Sequence, residues 1–298
     1  MSDRNPDNAV CTQGWEALRG DSLGWLLDPE RPNLLWQVLV ELVGRPVDSP
    51  AVRRARGGAN ACEPVSTLLA DLMPDGEWET DEPLWKPYSG PGWRLLAAVQ
   101  WGADPEDPRM HAASERLLET APGEGGLSRS SDAEPDSQLT ARVLEAMVGL
   151  GWGKHPRVQE WLAWFEATTE WRSEALVCVG VLRSAAKRVA LRESAIGGLG
   201  EALTGGREGL DRLGYPNLNE TDLAEVFSVM AAAGVVWRHE WRAALQRLQG
   251  MQDAKGCWSP AEPEVSRWVT LKATRALLIY AVDAELERVF PYPPHTSP

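Results

Sequence analysis

Residues 140–165 read TARVLEAMVGLGWGKHPRVQEWLAWF, and two helices of different character are legible in them. The first part, Thr140 to Leu150, is rich in Ala, Val and Leu and sparsely charged, as a helix buried on most sides must be. Past Gly151, His155-Pro156 puts proline at a first helical position, where its missing N–H costs nothing. Val158, Trp161, Leu162 and Phe165 then fall at i, i+3, i+4 and i+7, one apolar stripe on an otherwise polar helix. The stretch predicts an inner helix, a tight glycine turn and an outer helix packed on the inner one.

The same grammar recurs along the chain. WRLLAAVQWGADPEDPRMHAASERLL starts at Trp93, DLAEVFSVMAAAGVVWRHEWRAALQRL at Asp222, and TLKATRALLIYAVDAELERVF at Thr270. Starts at 93, 140, 222 and 270 are separated by 47, 82 and 48 residues, and the long step fits two shorter units. ALVCVGVLRSAAKRVA at Ala175 reads as the missing inner helix, and Leu34-Leu35-Trp36 followed by Ser49-Pro50 as an earlier hairpin. Trp241, Ala244, Leu245 and Leu248 repeat the outer-helix stripe. Thr140, Thr221 and Thr270 each cap or lie near an inner-helix start, and Gly102, Gly151 and Gly234 are placed to close hairpin turns. About six helical hairpins result, an all-α repeat protein.

Composition narrows the function classes. The chain has 298 residues and a formal net charge of -13, which opposes binding to nucleic-acid backbones and anionic membranes. The longest uncharged run in a helical region, Val226 to Trp237, has twelve residues and is too short to span a bilayer. The N-terminus lacks the apolar core of a secretory signal, so a cytoplasmic protein is expected. Cys11, Cys62, Cys178 and Cys257 are far apart, which fits buried thiols rather than a disulfide framework. Residues 1–13 and 291–298 read as flexible tails around one domain spanning 14–290. The seventeen residues Pro122 to Gln138, rich in Gly, Ser, Asp and Glu, read as a lid or a disordered loop. The 15 tryptophans against 3 Phe and 4 Tyr are either core filler or the lining of a pocket.

Gln252-Asp253-Ala254-Lys255-Gly256-Cys257-Trp258 resembles the Gln-Trp repeat of squalene–hopene cyclases, Q-x(2-5)-G-x-W. Pro74 to Trp78 resembles a degenerate copy with Leu72 in place of Gln, and Gly125-Gly126-Leu127 a weaker one in which Trp has become Leu. Trp85 to Tyr88 with Gly92-Trp93, Gly214 to Pro216 with Asp222-Leu223, and Ser266 to Leu271 look like positions in uncharacterised bacterial proteins carrying the prenyltransferase/squalene-oxidase repeat. The likeness covers roughly residues 24 to 282. It implies an α/α toroid of the terpene-cyclase and prenyltransferase type, with inner helices around a central cavity whose mouth lies where they begin. It also implies that Gln252 and Trp258 are structural, tying one hairpin to the next.

The catalytic signatures of that superfamily are missing from the sequence. It has no Asp-x-Asp-Asp acid, no Asp-Asp-x-x-Asp cluster, no Asp-x-Cys zinc pair and no Cys-His-Gly element. His111, His155, His239 and His295 form no H-x-x-x-H, so no metal and no cofactor is expected. P-loop, dinucleotide fingerprint and G-x-S-x-G are absent as well. Asp222, in the first turn of an inner helix, is either a catalytic acid facing the cavity or an acid satisfying the helix N-terminus. Asp81 and Glu82 belong to a loop that either rims the mouth or is simply solvated. Trp85, Tyr88, Trp93, Tyr215 and Trp268 are expected to line one mouth, with Lys86 and Arg267 at its rim to hold an anionic head. The alternative for all of them is packing between repeats.

The function expected from these readings is binding of a hydrophobic small molecule or lipid, an isoprenoid among the candidates, in an aromatic central cavity. Two other readings remain open: a terpene cyclase or prenyltransferase of unusual design using Asp222, and a helical scaffold for a protein or peptide. An open aromatic cavity marks the first two, and a plugged centre with an exposed apolar patch marks the third.

Overall fold

The computed structural model describes residues 18–121, 125–130, 132–206, 209–259 and 262–289, with side chains to 281. The expected tails, 1–13 and 291–298, lie outside the described residues. The protein is all-α: no strand occurs among the described residues, only an isolated bridge between Leu72 and Trp78. No helix among them is long and apolar enough to cross a membrane.

The chain divides into two compact units. Unit 2 holds Leu26–Leu199 and Tyr215–Thr221; unit 1 holds the residues up to Trp25, Gly200–Gly214 and the chain from Asp222 onward. The helices are α1 Ser22–Leu26, α2 Pro32–Glu41, α3 Pro50–Ala59, α4 Val65–Leu68, α5 Pro91–Gln100, α6 Pro108–Thr120, α7 Ser137–Gly149, α8 Pro156–Ala167, α9 Ala175–Ser184, α10 Val189–Thr204, α11 Leu223–Ala232, α12 Arg242–Gly250 and α13 Pro263–Val289.

The two helix characters follow the sequence pattern. In α9 every residue from Ala175 to Leu182 is buried, and in α11 every residue from Leu223 to Ala231. In α8 only Val158, Trp161, Leu162 and Phe165 are buried, the four positions of the stripe. Within unit 2, α7 packs on both α5 and α9, and α8 packs outside α7. Helices α7 and α9 approach closely because Gly180 has no side chain: a Cβ there would stand 2.6 Å from the Ala141 carbonyl oxygen. In unit 1, α11 and α13 pack together and α12 covers both.

The hairpin turns are copies of one device. Gly102, Gly151 and Gly234 have φ of 73°, 91° and 67°. The following N–H groups, of Ala103, Trp152 and Val235, donate to the carbonyls of Ala98, Met147 and Met230 at 3.0, 2.9 and 3.0 Å. This satisfies carbonyls that the helix ends would leave orphaned.

The N-terminal caps differ from expectation in one respect. Asp107 and His155 precede the prolines of α6 and α8 and accept from the backbone N–H two residues on. The inner helices α7 and α11 are capped by Asp136 and Asp222, not by threonine. Thr140 and Thr270 lie inside their helices, and their hydroxyl oxygens accept the N–H of Leu127 at 2.8 Å and of Trp258 at 3.0 Å. They therefore join the preceding connection to the inner helix.

The described part of the 122–138 segment is buried at 126–128 and exposed at Arg129, Ser130 and 132–134. Leu127 is fully buried, Arg129 pairs with Asp136 at 2.8 Å, and Asp136 starts α7. This is the degenerate Gly-x-Trp turn of its repeat, in which a leucine occupies the indole position.

Candidate functional site

The Gly-x-Trp turns behave as structural joints. Trp258 donates its indole N–H to the Leu248 carbonyl at 2.7 Å, and Trp78 does the same to Leu68 at 3.2 Å, each reaching ten residues back to the end of the preceding helix. Gly256 and Gly76 have φ of 90° and 84° and allow close approach. A Cβ on Gly76 would stand 2.3 Å from the Ala113 nitrogen in α6, and one on Gly256 would stand 2.0 Å from the Arg19 carbonyl oxygen.

The connection from Trp78 to Gly90 precedes α5, and Trp93 lies in the first turn of that helix. Trp93 is buried and donates its indole N–H to the Trp85 carbonyl at 2.8 Å. The Trp85 ring lies across Gly92, where a Cβ would come within 2.3 Å of it. These two indoles are thus brought together, but as packing within the connection. Lys86 pairs with Glu82 at 2.7 Å, and Tyr88 is 80% exposed with a φ of 67°.

Tyr215 is placed elsewhere in unit 2. Its hydroxyl donates to the Gln100 carbonyl and its ring meets Trp101 edge-on at 4.8 Å. Gln100 and Trp101 mark the C-terminal end of α5, whereas Trp93 lies in its first turn, roughly 10 Å away at 1.5 Å of rise per residue. The expected single mouth for Trp93 and Tyr215 is therefore not formed. Instead the segment 215–221 is strapped onto inner helices: Gln100 exchanges hydrogen bonds with the Asn217 backbone at 3.1 and 2.7 Å, and Arg142 of α7 donates to the Glu220 carbonyl at 3.3 Å.

Asp222, Arg267 and Trp268 belong to unit 1. Trp268 is 1% exposed. Arg267 donates to the Trp25 carbonyl at 2.7 Å and stands over the Trp25 ring at 4.7 Å. Asp222 is 1% exposed, and its two oxygens accept from the N–H groups of Glu225 at 2.8 Å and Gly214 at 2.9 Å. Burial pushes its carboxyl above the usual range, against the pull of the Lys272 ammonium, and the Glu225 charge pushes the same way as burial. Glu225 is fully buried, with Lys272 at 3.6 Å. The sequence reading missed Glu225 and Lys272. Asp222-Leu223-Ala224-Glu225 does carry the spacing of a capping box, and that signal could have found Glu225.

A second feature went unread in the sequence. Beside the Trp78–Trp93 connection is a cleft of about 310 Å³. It is lined by the turn Gly76-Glu77-Trp78 with Thr80 and Leu84, by Pro91, Gly92 and Leu95 of α5, and by Ala113, Arg116, Leu117 and Thr120 of α6. Glu77 and Arg116, both in its lining, form an ion pair, and both are about half exposed. The walls combine apolar surface with one group of each charge, which suits an apolar body with a polar end. No protein-family model, curated protein or solved structure matches the chain.

Proposed function

We propose that this chain is a binding protein for a small, largely apolar molecule, built from helical hairpins closed into a ring of the terpene-cyclase and prenyltransferase type. The observation that carries the binding reading is the cleft between the Gly76–Trp78 turn, α5 and α6, whose volume of about 310 Å³ is at the lower end of ligand sites. An isoprenoid is the ligand class that the superfamily resemblance favours. Gly76 packs on the outer helix that follows it, and Gly256, which has no later outer helix among the described residues, packs on Arg19 and Gly20 instead.

Binding is preferred over acid catalysis because both oxygens of Asp222 already accept backbone N–H groups, as those of a helix cap do. The test is native mass spectrometry of the full chain, as purified and after incubation with geraniol. A retained or added ligand mass is expected, lost in Thr120→Trp, which fills the cleft from an exposed position. A ligand mass that persists in Thr120→Trp would place the site elsewhere.

A further inference from the structure

The ion pair in the cleft's lining has two unlike ends. Glu77 belongs to a fixed turn: its N–H donates to the Asp75 carboxylate at 3.1 Å, its carbonyl accepts the Met73 N–H at 2.8 Å, and Gly76 beside it rests on the α6 backbone. Arg116 extends from α6 on a long, half-exposed side chain whose one ion-pair partner among the described residues is Glu77. An entering ligand can send the guanidinium out into water, whereas the carboxylate stays with the turn. The charge around the cleft has the sign of Glu77. Residues 75–90 and 113–120 carry seven carboxylates against one lysine and one arginine. That lysine, Lys86, pairs with Glu82, and Arg94 of α5 pairs with Asp71 at 3.1 Å. Asp75, Glu79 and Asp81 are exposed and form no ion pair among the described residues. A field of this sign concentrates cations and repels anions.

We propose that the cleft takes an apolar amine, whose ammonium pairs with Glu77 in the place that the Arg116 guanidinium holds in the free protein. This rests on the reading of the cleft as a ligand site and adds the head group. The exchange keeps one cation on one carboxylate, and the half-exposed pair that it breaks contributes little in water. Binding is then driven by the apolar body against Trp78, Leu84, Leu95 and Leu117. With the roughly 30 Å³ of a liquid water molecule as the unit, about 310 Å³ holds about ten non-hydrogen atoms, the size of an eight-carbon amine.

Isothermal titration calorimetry of the full chain with octylamine, octanol and octanoate compares three head groups on one body. Octylamine is expected to bind one per chain, about fivefold tighter than octanol, as a half-exposed ion pair allows, and octanoate more weakly than octanol. Glu77→Gln should bring octylamine down to the affinity of octanol. Arg116→Gln removes the resident cation and should tighten octylamine by about twofold or more. Neither change should alter octanol binding. Octanoate binding tighter than octylamine, or octylamine weakened in Arg116→Gln, would overturn the amine assignment. Equal binding of the three would overturn it as well and leave the cleft reading standing. Binding of no probe, or octanol binding that survives Thr120→Trp, would overturn the cleft reading and the amine assignment with it.

Discussion

The side-chain amide of Gln252 clasps the backbone of Arg19, 233 positions away in sequence: its Oε1 accepts the Arg19 N–H at 3.0 Å and its Nε2 donates to the Arg19 carbonyl at 3.3 Å. The same Nε2 donates to the Gly256 carbonyl at 3.0 Å, and the side chain is almost fully buried. Gln252→Ala is expected to cost about 1–3 kcal/mol, because it strands buried backbone groups. Gln252→Glu should cost at least as much, since it sets an acceptor against two carbonyls. Urea unfolding midpoints check both, and an unchanged midpoint in either would mean that the clasp adds nothing to stability.

Trp93 separates packing from ligand binding. It is buried and bonded within its own connection, so Trp93→Ala should lower stability by about 3–5 kcal/mol, as large-to-small core changes do. Trp93→Phe keeps most of the volume and loses the N–H bond to Trp85, at about 0.5–1.5 kcal/mol. Tyr88→Ala, at an exposed position, should stay within about 0.5 kcal/mol of the parent. Thermal melts of the three variants give the order.

Two glycines of nearly equal φ offer a controlled comparison. Gly151 has a φ of 91° with nothing within 4 Å of an added Cβ, so Gly151→Ala should cost only the left-handed backbone penalty, about 1–2 kcal/mol. Gly256 has a φ of 90° and the Arg19 carbonyl oxygen 2.0 Å from the same point, so Gly256→Ala must also displace the Arg19 backbone. The second substitution should be the more destabilising by equilibrium unfolding. Equal losses would show that the N-terminal segment yields freely.

Two aspartates should give pH dependences of opposite sign. At Asp107, burial alone would raise the carboxyl, but hydrogen bonds from Arg109 and Asn60 outweigh it and hold the group below its ordinary value of 3.8. Its contribution is present above that value and is lost as pH falls through the lower folded one. Asp222 is raised by burial, so the folded chain keeps a proton that the unfolded chain has released; its contribution is full below the ordinary value and falls as pH rises through the raised one. Unfolding free energies of Asp107→Asn and Asp222→Asn relative to the parent, measured from acid to neutral pH, should slope in opposite directions. Parallel slopes would contradict one of the two environments.

Much of the helical grammar could be read from the sequence because it is local. The stripe at Val158, Trp161, Leu162 and Phe165, the prolines at the starts of α6 and α8, and the glycines that close the hairpins each follow from a few neighbouring residues and the 3.6-residue period. The structural role of Trp258 was implied by the resemblance of residues 252–258 to the Gln-Trp repeat, and its indole N–H does reach the end of the preceding helix.

The candidate site was decided by distances that no local pattern carries. Tyr215 precedes an inner helix and Trp93 begins one, so repeat symmetry placed them together; the fold instead fixes Tyr215 to Trp101 at the far end of α5, where Gln100 ties the 215–221 strap down by its side chain. Thr140 and Thr270 read as caps, but only the path of the preceding connection shows that their hydroxyls hold Leu127 and Trp258. By itself the sequence determined the elements and their buried faces, since helix period, caps and turns act within a few residues. Only the tertiary structure decided where space remains between them, since a cleft is set by side chains from separate helices and turns failing to meet.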